Sequence, residues 1–210
     1  MADAPRVFLA SRNPKKIEEL RRILSAHLSD IVVLGADDLR QYDEPVEDQP
    51  TLEGNALLKA RAGVLATGLP SVADDSGLFV DALNGMPGVL SARWAGTAKD
   101  DLANNILLLE QLADVPDERR GAAFRAVVAF AHPVGESGVA EQVVHGEMTG
   151  RVIREMRGDG GFGYDVVFVP DEQDGELTAA EMTAPEKDRI SHRGKSVRAI
   201  APVVADLIRS

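Results

Sequence analysis

Two lysines stand where a helix least favours positive charge. In SRNPKKIEELRRIL, Ser11 to Leu24, the residues Ile17, Leu20, Ile23 and Leu24 recur at helical spacing, Asn13 is a good N-cap and Pro14 suits the first turn. Lys15 and Lys16 then lie beside free backbone N–H groups at the positive end of the helix dipole. An anion would account for them, because a helix N-terminus is a ready phosphate site and added lysines tighten it. The segment SHRGKSVRAIAPVVADLI repeats the pattern. Ser191 is a natural cap for an amphipathic helix carrying Val197, Ile200, Val204, Leu207 and Ile208, so His192 and Arg193 fall in its first turn with Lys187 just upstream. Two cation-crowded helix starts point to one shared anion.

Carboxylates supply the second kind of chemistry. On a helix running from about Thr51 to Thr67, Glu53 shares a face with Ala56, Leu57, Ala60 and Val64, so its charge heads an apolar stripe that should meet the core. It is either a first-turn acid still in reach of water or a metal ligand. In VADDSG, Asp74 and Asp75 would point to opposite sides of an extended backbone, one into a site and one supporting a turn. Asx-turn chemistry explains the same four residues Asp-Asp-Ser-Gly, so both readings stand. In the functional one, Asp75 and Glu53 are hard oxygen ligands for Mg²⁺, which takes one or two carboxylates and completes its shell with water and phosphate.

Gly158, Gly160, Gly161 and Gly163 crowd into GDGGFGYD. Glycine costs about 0.5–1 kcal/mol relative to alanine in regular structure, so these mark tight turns or a close approach to backbone. Phe162 and Tyr164 can stack on a base or anchor the loop. The glycines match neither the dinucleotide fingerprint nor the Walker loop.

These residues need elements to carry them. The pattern reads strand (RVFLA), helix, strand (DIVVLGADDL), polar loop, helix (from about Thr51 to Thr67), then strand, acidic turn and strand through PSVADDSGLFVDAL. NGMPGVLSARWAG is irregular, and DDLANNILLLEQL is helical on the spacing of Leu102, Ile106, Leu109 and Leu112. AAFRAVVAFAHP and VAEQVVHGEMTGRVI form a hairpin turning at VGESG, and a polar stretch separates the glycine loop from a last helix at about Ser191 to Arg209. This alternation predicts an α/β or mixed α+β class, folded as a single unit over residues 1–210.

Composition narrows the function. With 210 residues, 44% of them hydrophobic, the chain can bury one substantial core. No cysteine is present, which removes disulfide scaffolds, thiolate zinc sites and cysteine nucleophiles, and leaves oxygen or four histidines to hold any metal. The net charge of −11 argues against a nucleic-acid surface but not against a small anion held by local cations. No apolar run is long enough to span a bilayer and the start lacks a secretory pattern, so no membrane association and a cytoplasmic location are expected. The acidic tracts GADDLRQYDEPVEDQP and DEQDGE read as solvated surface with no role.

Taken together, SRNPKK, EGNALLKA, VADDSGLFVDALNGMPGVLSARWAG, GGFGYD and SHRGKS resemble, in order and from about residue 7 to 200, the inosine triphosphate pyrophosphatase family of non-canonical purine nucleoside triphosphate pyrophosphatases. One departure is Val166, where the family commonly has proline after GFGYD; it bears on loop rigidity and removes no reacting group.

The resemblance implies an elongated two-lobed α/β domain around a central mixed sheet, with a cleft between the lobes, and a homodimer. It implies Mg²⁺-dependent hydrolysis of ITP, dITP and XTP to the monophosphate and pyrophosphate. By motif position, Asp75 would accept the proton and bind metal with Glu53. Ser11, Arg12, Asn13, Pro14, Lys15, Lys16 and Lys187 would hold triphosphate and Ser76 would assist. Phe162, Gly163, Tyr164 and Asp165, with His192 and Arg193, would hold the nucleoside. Two rivals use the same residues: a hydrolase of modified pyrimidine triphosphates, and a nucleotide sensor without catalysis. Retention of Glu53, Asp74 and Asp75 argues against the sensor.

Overall fold

The computed structural model describes residues 4–39, 42–135 and 138–209. Apolar RVFL forms β1 (Arg6–Leu9) and α1 (Pro14–Ser25) follows, with Leu20 and Leu24 on its buried face. Strand β2 (Val32–Leu34) returns parallel to β1, Val7 opposite Val33, so α1 is the crossover that a parallel pair requires. Next come α2 (Leu52–Thr67), β3 (Ser71–Val80) and α3 (Asp101–Gln111). The long strands β4 (Gly121–Val134) and β5 (Gly138–Val152), short β6 (Phe168–Pro170), α4 (Ala184–Ile190) and α5 (His192–Arg209) complete the chain.

The strands form one six-stranded sheet in the order β2-β1-β3-β4-β5-β6. β1 pairs parallel with β2 and β3, whereas β5 and β6 are antiparallel, so the sheet is mixed and the fold is mixed α/β, as the sequence predicts. The chain divides into two compact units, Met1–Asp75 with Val127–His145 and Ser196–Ser210, and Ser76–Ala126 with Gly146–Lys195. The core of the first packs Leu20 and Leu24 of α1 and Val197, Ile200 and Val204 of α5 on Val7, Val72 and Phe130. In the second, Leu78, Leu108, Phe124, Met148, Tyr164 and Phe168 pack together.

Three expectations about local structure need correction. No turn interrupts β3 at Asp74–Gly77; ten extended residues run from Ser71 to Val80, because the strand is hydrogen-bonded between β1 and β4 in the sheet. The polar stretch before the last helix itself contains a helix, α4, which Thr183 and Glu186 cap and in which Lys187 lies. On α2 the buried side runs through Leu52, Asn55, Ala56, Ala60 and Val64, so Glu53 faces outward. α3 is helical as its spacing predicts, with Leu102 and Ile106 exposed and Asn104, Asn105 and Leu108 buried. The expected hairpin turn includes Glu136 and Ser137, which lie outside the described residues. Among the described residues no helix is long and apolar enough to cross a membrane.

Candidate active site

In the first unit, the start of α1 is built as its sequence requires. Asn13 caps it, its Oδ1 accepting from the amides of Lys15 and Lys16 at 3.0 and 3.4 Å, and Ser11 Oγ accepts from Asn13 N. Pro14 occupies the first helical position and no acid is present in the first turn. Lys15 is exposed. Lys16 folds back so that its Nζ lies 2.6 Å from Oδ2 of Asp74, a carboxylate only 4% exposed. Arg12 is occupied as well, forked between Asp37 and Glu44 and donating to the Tyr42 carbonyl.

Asp75 points the other way, as alternate residues of a strand must. Its Oδ2 accepts from Asn55 Nδ2 at 3.0 Å, and its Oδ1 lies 3.5 Å from Lys59 Nζ. Lys59 is the hub here: it also meets Glu47 Oε1 at 2.6 Å and the Asp74 carbonyl at 2.7 Å. Burial alone would lower the Lys59 pKa, but Asp75, Glu47 and Asp74 outweigh it and hold the lysine above its ordinary value. Burial pushes the Asp75 carboxyl above the usual carboxylate range against the opposing pull of Lys59 and Asn55. Asp75 is therefore an anion the fold has under-compensated, and Ser76 follows it on β3, half-buried.

Glu53, expected beside Asp75, is half-exposed at the start of α2 with its Oε2 3.5 Å from Nε2 of His145. The carboxylate that shares a cation with Asp75 is Glu47, in an acidic tract to which the sequence assigned no role. Asn55, Lys59 and Glu47 are thus the residues missed. The signal was present: EGNALLKA carries Asn55 and Lys59 one helical turn apart, so they share a face.

In the second unit, the glycine loop carries one exposed ring and several fixed polar groups. Phe162 is 69% exposed, and Lys187 Nζ lies 5.3 Å from its ring centroid. Asp165, buried, accepts from the Phe162 amide at 2.8 Å and pairs with Lys187. Tyr164 is an anchor: its ring is buried and its hydroxyl donates to the Ser91 carbonyl at 2.9 Å. Gly163 has φ 61°, in the left-handed region that glycine favours, and a Cβ on Gly160 would meet the Ala180 carbonyl oxygen at 2.6 Å. Ser191 caps α5 by accepting from Gly194 N. His192 stacks on Phe124, centroids 4.9 Å apart, and Arg193 is half-buried beside it in the chain.

An acidic, lysine-lined site and a separate aromatic loop with buried polar support are what nucleotide chemistry asks of a mixed α/β scaffold. The chain belongs to the Ham1 family, whose model matches residues 7–203. It is 57% identical over 203 residues to a dITP/XTP pyrophosphatase of Nocardia farcinica, covering 96% of each chain. A Mycobacterium tuberculosis protein of the same name is 53% identical over 208 residues, with 99% of this chain and 98% of that one covered. Among solved structures, the Staphylococcus aureus Ham1 protein matches with a TM-score of 0.84 at 33% identity, covering 96% of this chain and 99% of that one. The dITP/XTP pyrophosphatase of Mycobacterium abscessus matches at 0.76 and 52% identity, covering 94% and 99%.

Proposed function

We propose that this Ham1-family protein is a nucleoside triphosphate pyrophosphatase, acting as a single domain over residues 1–210. It hydrolyses dITP, ITP and XTP to the monophosphate and pyrophosphate in the cytoplasm, as a Mg²⁺-dependent homodimer. Relatives called dITP/XTP pyrophosphatase at more than half identity support the substrate class. One observation of the molecule carries the chemistry: Asp75, a carboxylate pushed above its usual pKa range by burial, is oriented by Asn55 and stands beside Lys59. Such a group accepts a proton more readily than a solvated aspartate.

In the reaction, a water oxygen forms a bond to the α-phosphorus, the bond from that phosphorus to the bridging oxygen breaks, and pyrophosphate departs. Asp75 receives the water's proton. The exposed Lys15 and the positive end of the α1 dipole, with Ser11 to Lys16 around them, offset the charge moving onto pyrophosphate, and Ser76 assists. Lys16 holds Asp74 in place, so it acts on phosphate by exchanging one anion for another. Lys187 takes the same part in its own unit, while Phe162, Gly163, Tyr164, Asp165, His192 and Arg193 hold the nucleoside. A 6-keto purine is preferred where donors face that oxygen, since an adenine amino group would leave them unpaired.

The donor set fits Mg²⁺. The available ligands are carboxylate oxygens, Asp75 is an under-compensated anion, and no group of three or more His, Asp or Glu gathers among the described residues, so water and phosphate must fill the remaining positions. Asp75 would hold the ion with Glu47 or with Glu53. When bound, the metal neutralises phosphate charge and acidifies water.

The test is pyrophosphate release from dITP, ITP and XTP beside dATP and dGTP, with Mg²⁺ and with EDTA. Metal-dependent release from the first three with little from dATP is expected; release from dATP equal to theirs would discard the 6-keto selection, and none from any would overturn the enzymatic reading.

A further inference from the structure

Helix α3 turns inward residues that its composition would leave outside. Leu102 and Ile106 are 59% and 44% exposed, while Asn104 and Asn105 are each 2% exposed. Burying two amides in preference to two aliphatic side chains runs against the hydrophobic effect, so the amides must meet partners that justify it. Those partners are backbone groups. Asn104 accepts from Ala95 N at 2.7 Å and donates to the Ala92 carbonyl at 3.2 Å. Asn105 Nδ2 donates to the Gly163 carbonyl at 2.8 Å and to the Asp101 carbonyl at 2.7 Å. Asp101 Oδ2 accepts from Gly163 N at 2.7 Å.

Both backbone groups of Gly163 are therefore held by one helix, and Gly163 sits between the exposed Phe162 ring and the Tyr164 anchor. The Tyr164 hydroxyl donates to Ser91 O, next to the Ala92 carbonyl that takes Asn104. A loop with four glycines in six residues has many accessible conformations, and tethers on both the N–H and the C=O of Gly163 select among them. A helix that needed only to be buried would have no use for this arrangement.

We infer that Asp101 and Asn105 are positioning residues that fix the Phe162–Asp165 loop and, through it, set base selectivity. The second half rests on the nucleoside role proposed above for that loop; the first does not. Asp101 also stands in the first turn of α3, where a negative charge is favourable in any case. Asp101→Asn separates the two roles, because it removes the charge and keeps an oxygen able to accept from Gly163 N.

The experiment compares wild type, Asp101→Ala, Asp101→Asn and Asn105→Ala by amide hydrogen exchange across residues 160–166 and by kcat/KM for dITP and dATP. Asp101 is exposed, so its variants do not open the core. Asp101→Ala and Asn105→Ala are expected to exchange the Phe162–Asp165 amides about ten-fold faster and to lower the dITP-to-dATP ratio by about ten-fold, mainly through KM for dITP, as loss of one well-placed hydrogen bond would. Asp101→Asn should stay near wild type in both. Unchanged exchange in Asp101→Ala, or equal behaviour of the alanine and asparagine variants, overturns the tether. Faster exchange with an unaltered ratio overturns the selectivity. Failure of the wild type to cleave dITP would remove the functional reading and the selectivity with it, while the exchange data would still decide the tether.

Discussion

Asn55 Nδ2 and Asp75 Oδ2 lie 3.0 Å apart, so the carboxylate at the centre of the proposed reaction takes its orientation from helix α2. The same helix brings Lys59 to within 3.5 Å of the other oxygen. One element thus sets both the direction and the electrostatic surroundings of Asp75, and replacing it tests both.

Asp75→Asn should lower pyrophosphate release by about 10²–10⁴-fold, the range of a lost general base. Its stability should not fall. Burial raises the folded-state pKa of Asp75 above its unfolded value, so the folded state binds more protons, and stability declines as pH rises from the ordinary carboxylate range through the raised value. In EDTA above that window the variant should melt no lower than wild type, and its melting curve should lose this pH slope. A clear drop in melting temperature at pH 7.5 would show that the anion supports the fold.

Glu47 and Glu53 are separable as metal ligands. Glu47→Gln should raise the Mg²⁺ concentration for half-maximal rate by at least about ten-fold, no less than the loss of a residue that only hydrogen-bonds a metal ligand costs. Glu53→Gln, removing a half-exposed contact to His145, should change it by less than about two-fold. A magnesium titration of both variants decides it, and the reverse order would restore Glu53 as the ligand.

Lys16→Met leaves the carboxylate of Asp74, 4% exposed, with one cation fewer. The cost should be about 1–3 kcal/mol, since the lysine itself is partly exposed and the pair is screened from that side. Adding Asp74→Asn should recover most of it. Urea unfolding of the two single variants and the double measures the coupling.

Two glycines in the loop should respond differently to alanine. At Gly163 the backbone φ is 61° with open space around a Cβ, so the cost is strain alone, about 1 kcal/mol. At Gly160 the new Cβ would meet a carbonyl oxygen of Ala180 at 2.6 Å, and backbone must move. Gly160→Ala should be the more destabilising in thermal melts, and it should perturb the segment around Ala180 as well.

The helix starts were legible because capping is local: Asn13, Thr51 and Ser191 announce themselves by residue type and position, and all three accept the expected amides. Pro14 and the apolar spacing of α1 belong to the same kind of signal. What escaped was tertiary. Asp-Asp-Ser-Gly has the composition of a turn, yet pairing in the sheet between β1 and β4 keeps it extended while lysines from two different helices meet its carboxylates, and nothing within those four residues records that. Glu47 was passed over because a charge run is ordinarily solvated, and only the fold shows Lys59 beneath it. In α3 the aliphatic spacing marked the helix but not its inward face, which was chosen by backbone groups of segments up to 58 positions away.

The Phe162 ring, 69% exposed above a loop whose other groups are buried or bonded, keeps an apolar face in contact with water. That exposure has a calorimetric consequence. A flat base covering the ring would remove apolar surface from solvent, giving a negative heat-capacity change and little response to added salt, whereas pyrophosphate alone would bind with strong ionic-strength dependence and a small heat-capacity change. The two halves of a nucleotide would then be distinguishable by their thermodynamics before any bond is broken.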